Sequence, residues 1–256
     1  MIRMKLRGEH VLVTGGAQGI GEAIVKDCAL EGARVSFIDI DREKSVALVN
    51  QLCGEGFNVQ YYYGDVSDFE SFSNAYSQLI LTFGPVTAAV SNAGRNSYAD
   101  PVEYEEKEWE SFFALDLKSS WYLAKLCLPQ MRQAQSGVIV NISSIHGRMT
   151  TPEFFPYSAA KHGIVGLSRS LALDEIRHGI RVNSISPGYI ATPLQKHYFE
   201  QFPEAKANAI KVQPMKRVGL PSEVAKVVSF VLSADASCIV GADLMVDGGL
   251  HARYAS

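Results

Sequence analysis

Residues 14–21 read TGGAQGIG, a glycine-rich stretch that joins a predicted strand to a predicted helix. It follows the short apolar run His10–Thr14, which predicts a β-strand, and it leads into a predicted helix over residues 18–32. Its glycines allow a sharp turn from strand to helix and the close approach of a ligand to the backbone. The N–H groups and the dipole of a helix start stabilise a bound phosphate. Glycine-rich turns also occur where only a tight turn is needed, so the surrounding residues decide what this stretch means.

Strands and helices alternate along the rest of the chain. The other predicted strands cover residues 34–40, 58–63, 86–91, 137–142, 180–186 and 243–246. The other predicted helices cover residues 41–53, about 67–83, about 105–133, about 155–177 and 221–232. Mostly apolar strands separated by helices predict an α/β fold, with a doubly wound parallel sheet covered by helices on both faces. Because no repeat or Pro/Ser-rich linker interrupts the pattern, we expect residues 1–256 to form a single domain.

Composition excludes several classes of protein. The chain has 256 residues and a formal net charge of −3, so it lacks the basic surface that binding to nucleic acid requires. No run approaches the roughly 20 apolar residues that span a bilayer, and residues 1–10 carry charges instead of the apolar segment of a signal peptide. We therefore expect a cytoplasmic protein with no membrane partner.

Metal binding is not expected from the sequence. The four cysteines, at positions 28, 53, 127 and 238, form no CxxC pair, and the six histidines form no HExxH motif. Four reduced thiols suit a reducing compartment such as the cytoplasm.

An acidic residue follows the glycine stretch at an informative distance. Asp39 ends the second predicted strand, where a carboxylate can accept hydrogen bonds from the ribose hydroxyls of an adenosine. The same carboxylate repels a 2′-phosphate, which favours NAD over NADP; Arg42, the nearest cation along the chain, lies past the strand end. The alternative, that Asp39 only caps the following helix, is weakened by the glycine turn before it.

Tyr157 and Lys161 form a candidate acid–base pair. Their spacing of four places them on one face of a helix, one turn apart. A tyrosine has an ordinary pKa near 10, and an ammonium one turn away favours the phenolate and so lowers that pKa. Ser144 follows the fifth predicted strand, where its hydroxyl can donate a hydrogen bond to a developing alkoxide. The three side chains together fit proton transfer to or from an alcohol.

The assembled pattern resembles the short-chain dehydrogenase/reductase family of the classical type. The motifs occur in the family's order over almost the whole chain: TGxxxGxG at 14–21, Asp39, Asp65-Val66, Asn92-Ala93-Gly94, Ser144, Tyr157 with Lys161, Pro187-Gly188 with Thr192, and Asp247-Gly248-Gly249. The resemblance implies one Rossmann-like domain with about seven parallel strands and hydride transfer between a nicotinamide cofactor and a secondary alcohol or ketone. It implies that Tyr157 is the acid/base, that Lys161 lowers its pKa and holds the nicotinamide ribose, and that Ser144 polarises the reacting oxygen.

The resemblance also implies which residues bind the cofactor. They are Gly15, Gln18, Gly19, Ile20, Gly21, Asp39, Ile40, Asp65, Val66, Asn92, Gly94, Tyr157, Lys161, Pro187, Ile190 and Thr192. One position departs from the family. Asp116 stands where the family usually has an asparagine that holds a water next to the lysine. A carboxylate can accept a hydrogen bond from that water and serve as a catalytic relay, or it can pair with Lys161 and weaken its effect on Tyr157.

Four side chains near this trio are candidate substrate contacts: Arg95, His146, Arg148 and Tyr189, beside Ser144 and Tyr157 themselves. Two arginines and a histidine favour a small polar substrate, such as a sugar or a 2-keto-3-deoxy sugar acid. The expected substrate lid, around residues 190–214, also contains Phe199 and Phe202, so a 3-oxoacyl or hydroxysteroid-type ketone reductase is the alternative. A cofactor-binding protein without catalysis is a third hypothesis, disfavoured by the intact trio.

Assembly is open from the sequence. The stretch 105–133 carries apolar residues on more than one face, as a helix in a subunit contact or one packed on the sheet would. The resemblance implies a homotetramer or homodimer. In such an assembly the tail 251–256, with Arg253 and Tyr254, could reach a neighbouring substrate site.

Overall fold

The computed structural model describes residues 4–253, in which seven strands form one parallel sheet. The strands are β1 (His10–Thr14), β2 (Arg34–Asp39), β3 (Val59–Tyr63), β4 (Ala88–Ser91), β5 (Gly137–Ile142), β6 (Ile180–Pro187) and β7 (Asp243–Val246). Their order is β3-β2-β1-β4-β5-β6-β7, with every pairing parallel. The order reverses between β1 and β4, and in a doubly wound sheet a ligand binds at the carboxyl ends of the strands at such a reversal.

Helices cover both faces of this sheet. The helices are α1 (Gly19–Leu30), α2 (Arg42–Gly54), α3 (Phe69–Phe83), α4 (Glu106–Phe113), α5 (Ser119–Ala134), α6 (Tyr157–Glu175), α7 (Pro193–Gln201), α8 (Pro203–Val212) and α9 (Pro221–Leu232). One buried cluster joins the sheet to α1, α2 and α9, and a second joins its other face to α3 and α5. The predicted α/β fold with a doubly wound sheet is therefore confirmed.

Local chemistry explains where these helices begin. The Asp41 carboxylate accepts a hydrogen bond from the N–H of Lys44 and caps α2, and the Asp68 carboxylate caps α3 through the N–H of Ser71. Helices α7, α8 and α9 each begin at a proline, whose fixed φ suits the first helical turn.

Two regions differ from the sequence-based expectations. The stretch predicted as one helix over 105–133 consists of α4, a π-helical turn at Ala114–Lys118, and α5. The expected lid segment around residues 190–214 contains two helices, α7 and α8, which the sequence analysis did not include. These helices were not predicted because the segment is polar and shows little hydrophobic periodicity, which is a poor indicator of helix in short exposed segments. Within residues 4–253, no helix is both long and apolar enough to cross a membrane.

Candidate active site

A cavity of about 550 Å³ opens at the carboxyl ends of the strands, where the strand order reverses. Residues from the β1–α1 turn, the ends of β2 and β4, the start of α6 and the loop after β6 line it. All of the residues that the sequence analysis assigned to the cofactor lie on its wall, together with Ser144 and Asp116. The tertiary structure thus brings together segments that are far apart in the sequence.

The β1–α1 turn forms a cradle with no room for side chains. Gly15 and Gly19 have φ values of +67° and +62°, in the left-handed region that favours glycine. A Cβ added to Gly21 would lie 1.9 Å from the carbonyl oxygen of Gly15. The side chain of Asn92 donates hydrogen bonds to the carbonyls of Thr14 (3.1 Å) and Gly15 (3.0 Å), which fixes the turn to β4. A backbone turn held open at a helix N-terminus fits the pyrophosphate of a dinucleotide.

Asp39 lies at the end of β2 and closes one side of the cradle. Its carboxylate accepts hydrogen bonds from the backbone N–H of Ala17 and of Asp41, both at 2.9 Å. A second cation, which the sequence analysis did not single out, lies nearby: Lys44 donates hydrogen bonds to Gln18 Oε1 at 3.1 Å and to Asp41 Oδ2 at 2.7 Å. Lys44 could have been identified from the sequence, because it lies three residues after Asp41 at the start of a predicted helix.

Tyr157 is the first residue of α6 and Lys161 lies one turn further along it, and both line the cavity. The ammonium of Lys161 lies 5.4 Å from the centre of the Tyr157 ring, and the lysine is buried. Ser144 lies just past β5, where its hydroxyl accepts a hydrogen bond from the N–H of His146 at 3.2 Å. The neighbouring Ser143 donates its hydroxyl to the carbonyl of Lys161 at 2.9 Å and so ties the end of β5 to α6. This arrangement places a hydroxyl donor, a phenol and a cation on one wall.

The π-helical turn places Asp116 beside this group. Its Oδ1 lies 3.5 Å from the Lys161 ammonium, and its two oxygens accept the backbone N–H of Arg95 at 3.1 and 3.2 Å. Burial raises the pKa of Asp116, while the charge of Lys161 opposes that change. A π turn adds one residue to a helical turn and is frequent at functional sites, which suits this placement.

The four candidate substrate residues outside the trio separate in the structure. Arg95 lines the cavity and donates a hydrogen bond to Ser111 Oγ at 3.2 Å. His146, Arg148 and Tyr189 are not among the residues that line it. Arg148 binds Asp243 on β7, with Nε 2.7 Å from Oδ2, and is therefore occupied by the protein itself. Tyr189 faces a second, smaller cavity of about 360 Å³ that borders Gln213 and Met215.

His146 is buried against aromatic rings. Its ring stacks on Phe154 with 3.7 Å between centroids and lies edge-on to Tyr157 at 5.9 Å, and its Nδ1 is 3.0 Å from Thr150 Oγ1. Burial lowers the pKa of His146 to about 4, so at neutral pH the imidazole is uncharged. His146, proposed from the sequence as a substrate contact, is therefore a neutral ring packed behind Tyr157 and Phe154.

Two residues near Tyr157 were missed by the sequence analysis. The amide of Asn96 lines the cavity and donates a hydrogen bond to the hydroxyl of Tyr98 at 2.9 Å. The Tyr98 ring packs edge-on against Phe154, and burial together with the neighbouring phenols of Tyr157 and Tyr198 raises its pKa to about 12. Their position directly after the Asn92-Ala93-Gly94 motif was the available signal.

Comparison with known proteins gives consistent results. The family model described as Enoyl-(Acyl carrier protein) reductase matches residues 15–251. The chain is 34% identical to the 3-oxoacyl-(acyl-carrier-protein) reductase FabG of Thermotoga maritima over 248 residues, which is 96% of this chain and 99% of the relative. It is 36% identical to L-fucose dehydrogenase of Mus musculus over 251 residues, 96% of this chain and 90% of the relative. The solved structure of a gluconate 5-dehydrogenase from Burkholderia cenocepacia, in complex with NADP and tartrate, superimposes with a TM-score of 0.92 at 26% identity and covers 98% of both chains.

Proposed function

The chain belongs to the short-chain dehydrogenase/reductase family, and from that premise we propose that it is an NAD-dependent dehydrogenase of a sugar or sugar acid. Members of the family are oxidoreductases that act on alcohol or ketone groups with a nicotinamide cofactor, and this chain is such an enzyme. The observation that carries the proposal is that Tyr157 and Lys161 share one cavity with the glycine cradle and Asp39.

The proposed mechanism uses three side chains. The bound nicotinamide supplies the hydride acceptor in oxidation and the hydride donor in reduction. In oxidation, the phenolate of Tyr157 takes the hydroxyl proton of the alcohol while its carbon loses hydride. Lys161 stabilises that phenolate by its positive charge, and the Ser144 hydroxyl donates a hydrogen bond to the substrate oxygen as it becomes a carbonyl. In reduction the proton returns from Tyr157 to the oxygen.

Asp39 supports NAD as the preferred cofactor. A carboxylate at the end of β2 accepts ribose hydroxyls and repels a 2′-phosphate. The gluconate 5-dehydrogenase of the same fold was solved with NADP, so a preference for NADP over NAD is the alternative. Lys44 could attract a phosphate in this chain, but its ammonium already pairs with Asp41.

Polar groups at the far end of the cavity support a hydroxylated substrate. Arg95 and Asn96 line the cavity, and the Tyr98 hydroxyl lies within hydrogen-bonding distance of Asn96. The names of two relatives, L-fucose dehydrogenase and gluconate 5-dehydrogenase, point the same way. A 3-oxoacyl reductase is the second candidate, favoured by the likeness to FabG and by the exposed aromatic Phe202 of the predicted lid.

A substrate panel tests this function. We expect NADH to form when the enzyme and NAD are mixed with sugars, aldonic acids or 2-keto-3-deoxy sugar acids. The Tyr157→Phe variant should lose at least about 100-fold in kcat with the same substrate, because it lacks the acid–base hydroxyl. Turnover of 3-hydroxyacyl thioesters or hydroxysteroids alone would favour the second candidate, and binding of NAD without turnover of any panel member would favour a non-catalytic role.

Assembly and location extend the proposal. We propose a homotetramer or homodimer in the cytoplasm, with α5 and α6 in the subunit contact. Trp121 on α5 is 43% exposed in the single chain, which supports a contact there. Sedimentation of the purified protein tests the assembly. Of the predicted tail contact, Tyr254 lies outside the described residues.

A further inference from the structure

The ammonium of Lys161 lies near both the phenol of Tyr157 and the carboxylate of Asp116. It lies 5.4 Å from the centre of the Tyr157 ring and 3.5 Å from Oδ1 of Asp116. The carboxylate is buried, with 2% of the residue exposed, so water screens the pair weakly. The backbone of Gly94 lies close to both Asp116 and Lys161. A Cβ at this position would lie 2.8 Å from Asp116 Oδ1 and 3.4 Å from Lys161 Nζ, so a side chain here would crowd the pair. The geometry therefore couples the carboxylate to the tyrosine through one shared cation.

Arg95 and a few aromatic and imidazole groups complete the surroundings of these three residues. The charge of Arg95, like that of Lys161, favours the carboxylate form of Asp116 and so lowers its pKa against the effect of burial. On the β4–α4 loop, Arg95 meets Asp116 through its backbone N–H and turns its guanidinium to Ser111 and the ring of Phe112. Near Tyr157, burial lowers the pKa of His146 after β5 to about 4, so its imidazole is uncharged at neutral pH, and burial raises the pKa of Tyr98 on the β4–α4 loop to about 12. His162 on α6 is hydrogen-bonded to the carbonyl of Ser158 and acts on His146.

We propose that the Asp116 carboxylate partly neutralises the ammonium of Lys161 and thereby raises the pH range in which Tyr157 loses its proton. Lys161 favours the phenolate, and a negative charge 3.5 Å from that ammonium cancels part of its field at the phenol. Asp116 is in this sense a positioning and tuning residue, because it acts on Tyr157 through Lys161. The inference rests on the proposed function in one respect, namely that Tyr157 is the acid/base.

The substitution Asp116→Asn tests the proposal. Asparagine has nearly the same shape and keeps an oxygen that can accept the N–H of Arg95, but it has no charge. Removing the negative charge favours the phenolate, so the limb of kcat/KM that rises with pH in the oxidation reaction should move to lower pH by about one unit. A purely structural role would lower activity at every pH and leave the position of this limb unchanged.

Glu175→Gln provides the matched control. Glu175 is also a buried carboxylate paired with a cation, Arg132, but it lies at the other end of α6 from Tyr157. Its replacement removes one negative charge from the same helix, about 27 Å along the axis from Tyr157. We therefore expect the rising limb of kcat/KM against pH to stay at the same pH. If Asp116→Asn does not fold, Asp116→Ser removes the same charge with a smaller side chain.

A direct titration separates this inference from the proposed substrate. The ultraviolet absorbance of phenolate is followed against pH with NAD bound, and the curve of the matching Tyr157→Phe variant is subtracted, because the chain has 11 tyrosines. We expect the difference curve to shift to lower pH by about one unit in Asp116→Asn. An unshifted curve would overturn the inference, as would a shift to higher pH. A shifted curve without turnover of any sugar or sugar acid would uphold the inference and reject the proposed substrate, and a difference curve with no transition would reject both the tyrosine base and its tuning.

Discussion

At the scale of single residues, Asp39 has a structural role in the glycine turn and, in the proposed function, also a role in cofactor recognition. Its two carboxylate oxygens accept the N–H groups of Ala17 and Asp41, so it holds the glycine turn and the start of α2 in place. The same carboxylate lines the cavity, where we propose that it accepts hydrogen bonds from an adenosine ribose. Its charge therefore bears on cofactor choice, while its hydrogen bonds bear on the shape of the turn.

Cofactor preference should change when this charge is removed. In Asp39→Asn, the ratio of kcat/KM with NAD to that with NADP should fall at least about tenfold, since a 2′-phosphate no longer meets a negative group. Steady-state kinetics with both cofactors gives the ratio. Glu43→Gln is the control, because it removes one negative charge from the first turn of α2, does not line the cavity and leaves the pair between Lys44 and Asp41 intact. Equal effects of the two substitutions would show that net charge near α2, and not contact with the ribose, sets the preference.

At the scale of elements, the β1–α1 turn and the π-helical turn are the two places where backbone geometry makes the site. The first brings N–H groups to the cavity because its glycines leave the backbone bare. The second, at Ala114–Lys118, places Asp116 against Lys161 on a neighbouring helix. In both, a short departure from regular structure determines which atoms face the ligand.

The glycine turn should not tolerate a methyl group. Gly21→Ala adds a Cβ 1.9 Å from the Gly15 carbonyl oxygen and 2.6 Å from Asn92 Nδ2, so the turn must move. Because alanine is the better helix former, any loss of stability reports this clash. We expect a loss of about 1–3 kcal/mol and weaker NAD binding, measured by chemical denaturation and calorimetry. Gly54→Ala in α2 is the control, because its Cβ would meet nothing within 4 Å; equal destabilisation there would mean that the clash at Gly21 is relieved.

At the scale of the whole molecule, one sheet supports two hydrophobic clusters that both position the cavity. The cluster with α1 and α9 lies behind the glycine turn, and the cluster with α3 and α5 lies behind β4 and the π-helical turn. The hydroxyl of Ser229 on α9 donates a hydrogen bond to the carboxylate of Asp27 on α1 at 2.6 Å and so joins these two helices, which are far apart in the sequence. Loss of packing on either face of the sheet should therefore lower the free energy of unfolding of the whole domain.

Helix α3 offers a matched test of this packing. Phe72 is fully buried in the second cluster, whereas Leu81 on the same helix is 86% exposed. Phe72→Ala should lower the free energy of unfolding by about 3–5 kcal/mol, because it removes a buried ring and leaves a cavity. Leu81→Ala should change it by less than about 0.5 kcal/mol. Denaturant titration measures both, and similar values for the two would contradict the burial seen in the structure.

The sheet, the glycine turn and the helix that carries Tyr157 and Lys161 could all be predicted from the sequence. These features depend on the alternation of apolar strands with helices, on glycine φ angles and on a spacing of four, all of which are local. The same patterns did not reveal that the single predicted helix over 105–133 is interrupted by a π turn, because the apolar pattern continues through it.

The partners of the charged side chains became known from the three-dimensional packing, including the choice of Lys161 as a partner of Asp116 between the two alternatives that the sequence left open. Arg148 lies next to the site along the chain, yet it binds Asp243 on β7, 95 positions away in sequence. Asp116 meets Lys161 because α6 packs against the π-helical turn, which no local pattern specifies. Side-chain pairing depends on which elements become neighbours when the sheet is assembled, and that is fixed by the burial of whole helices rather than by the residues beside each charge.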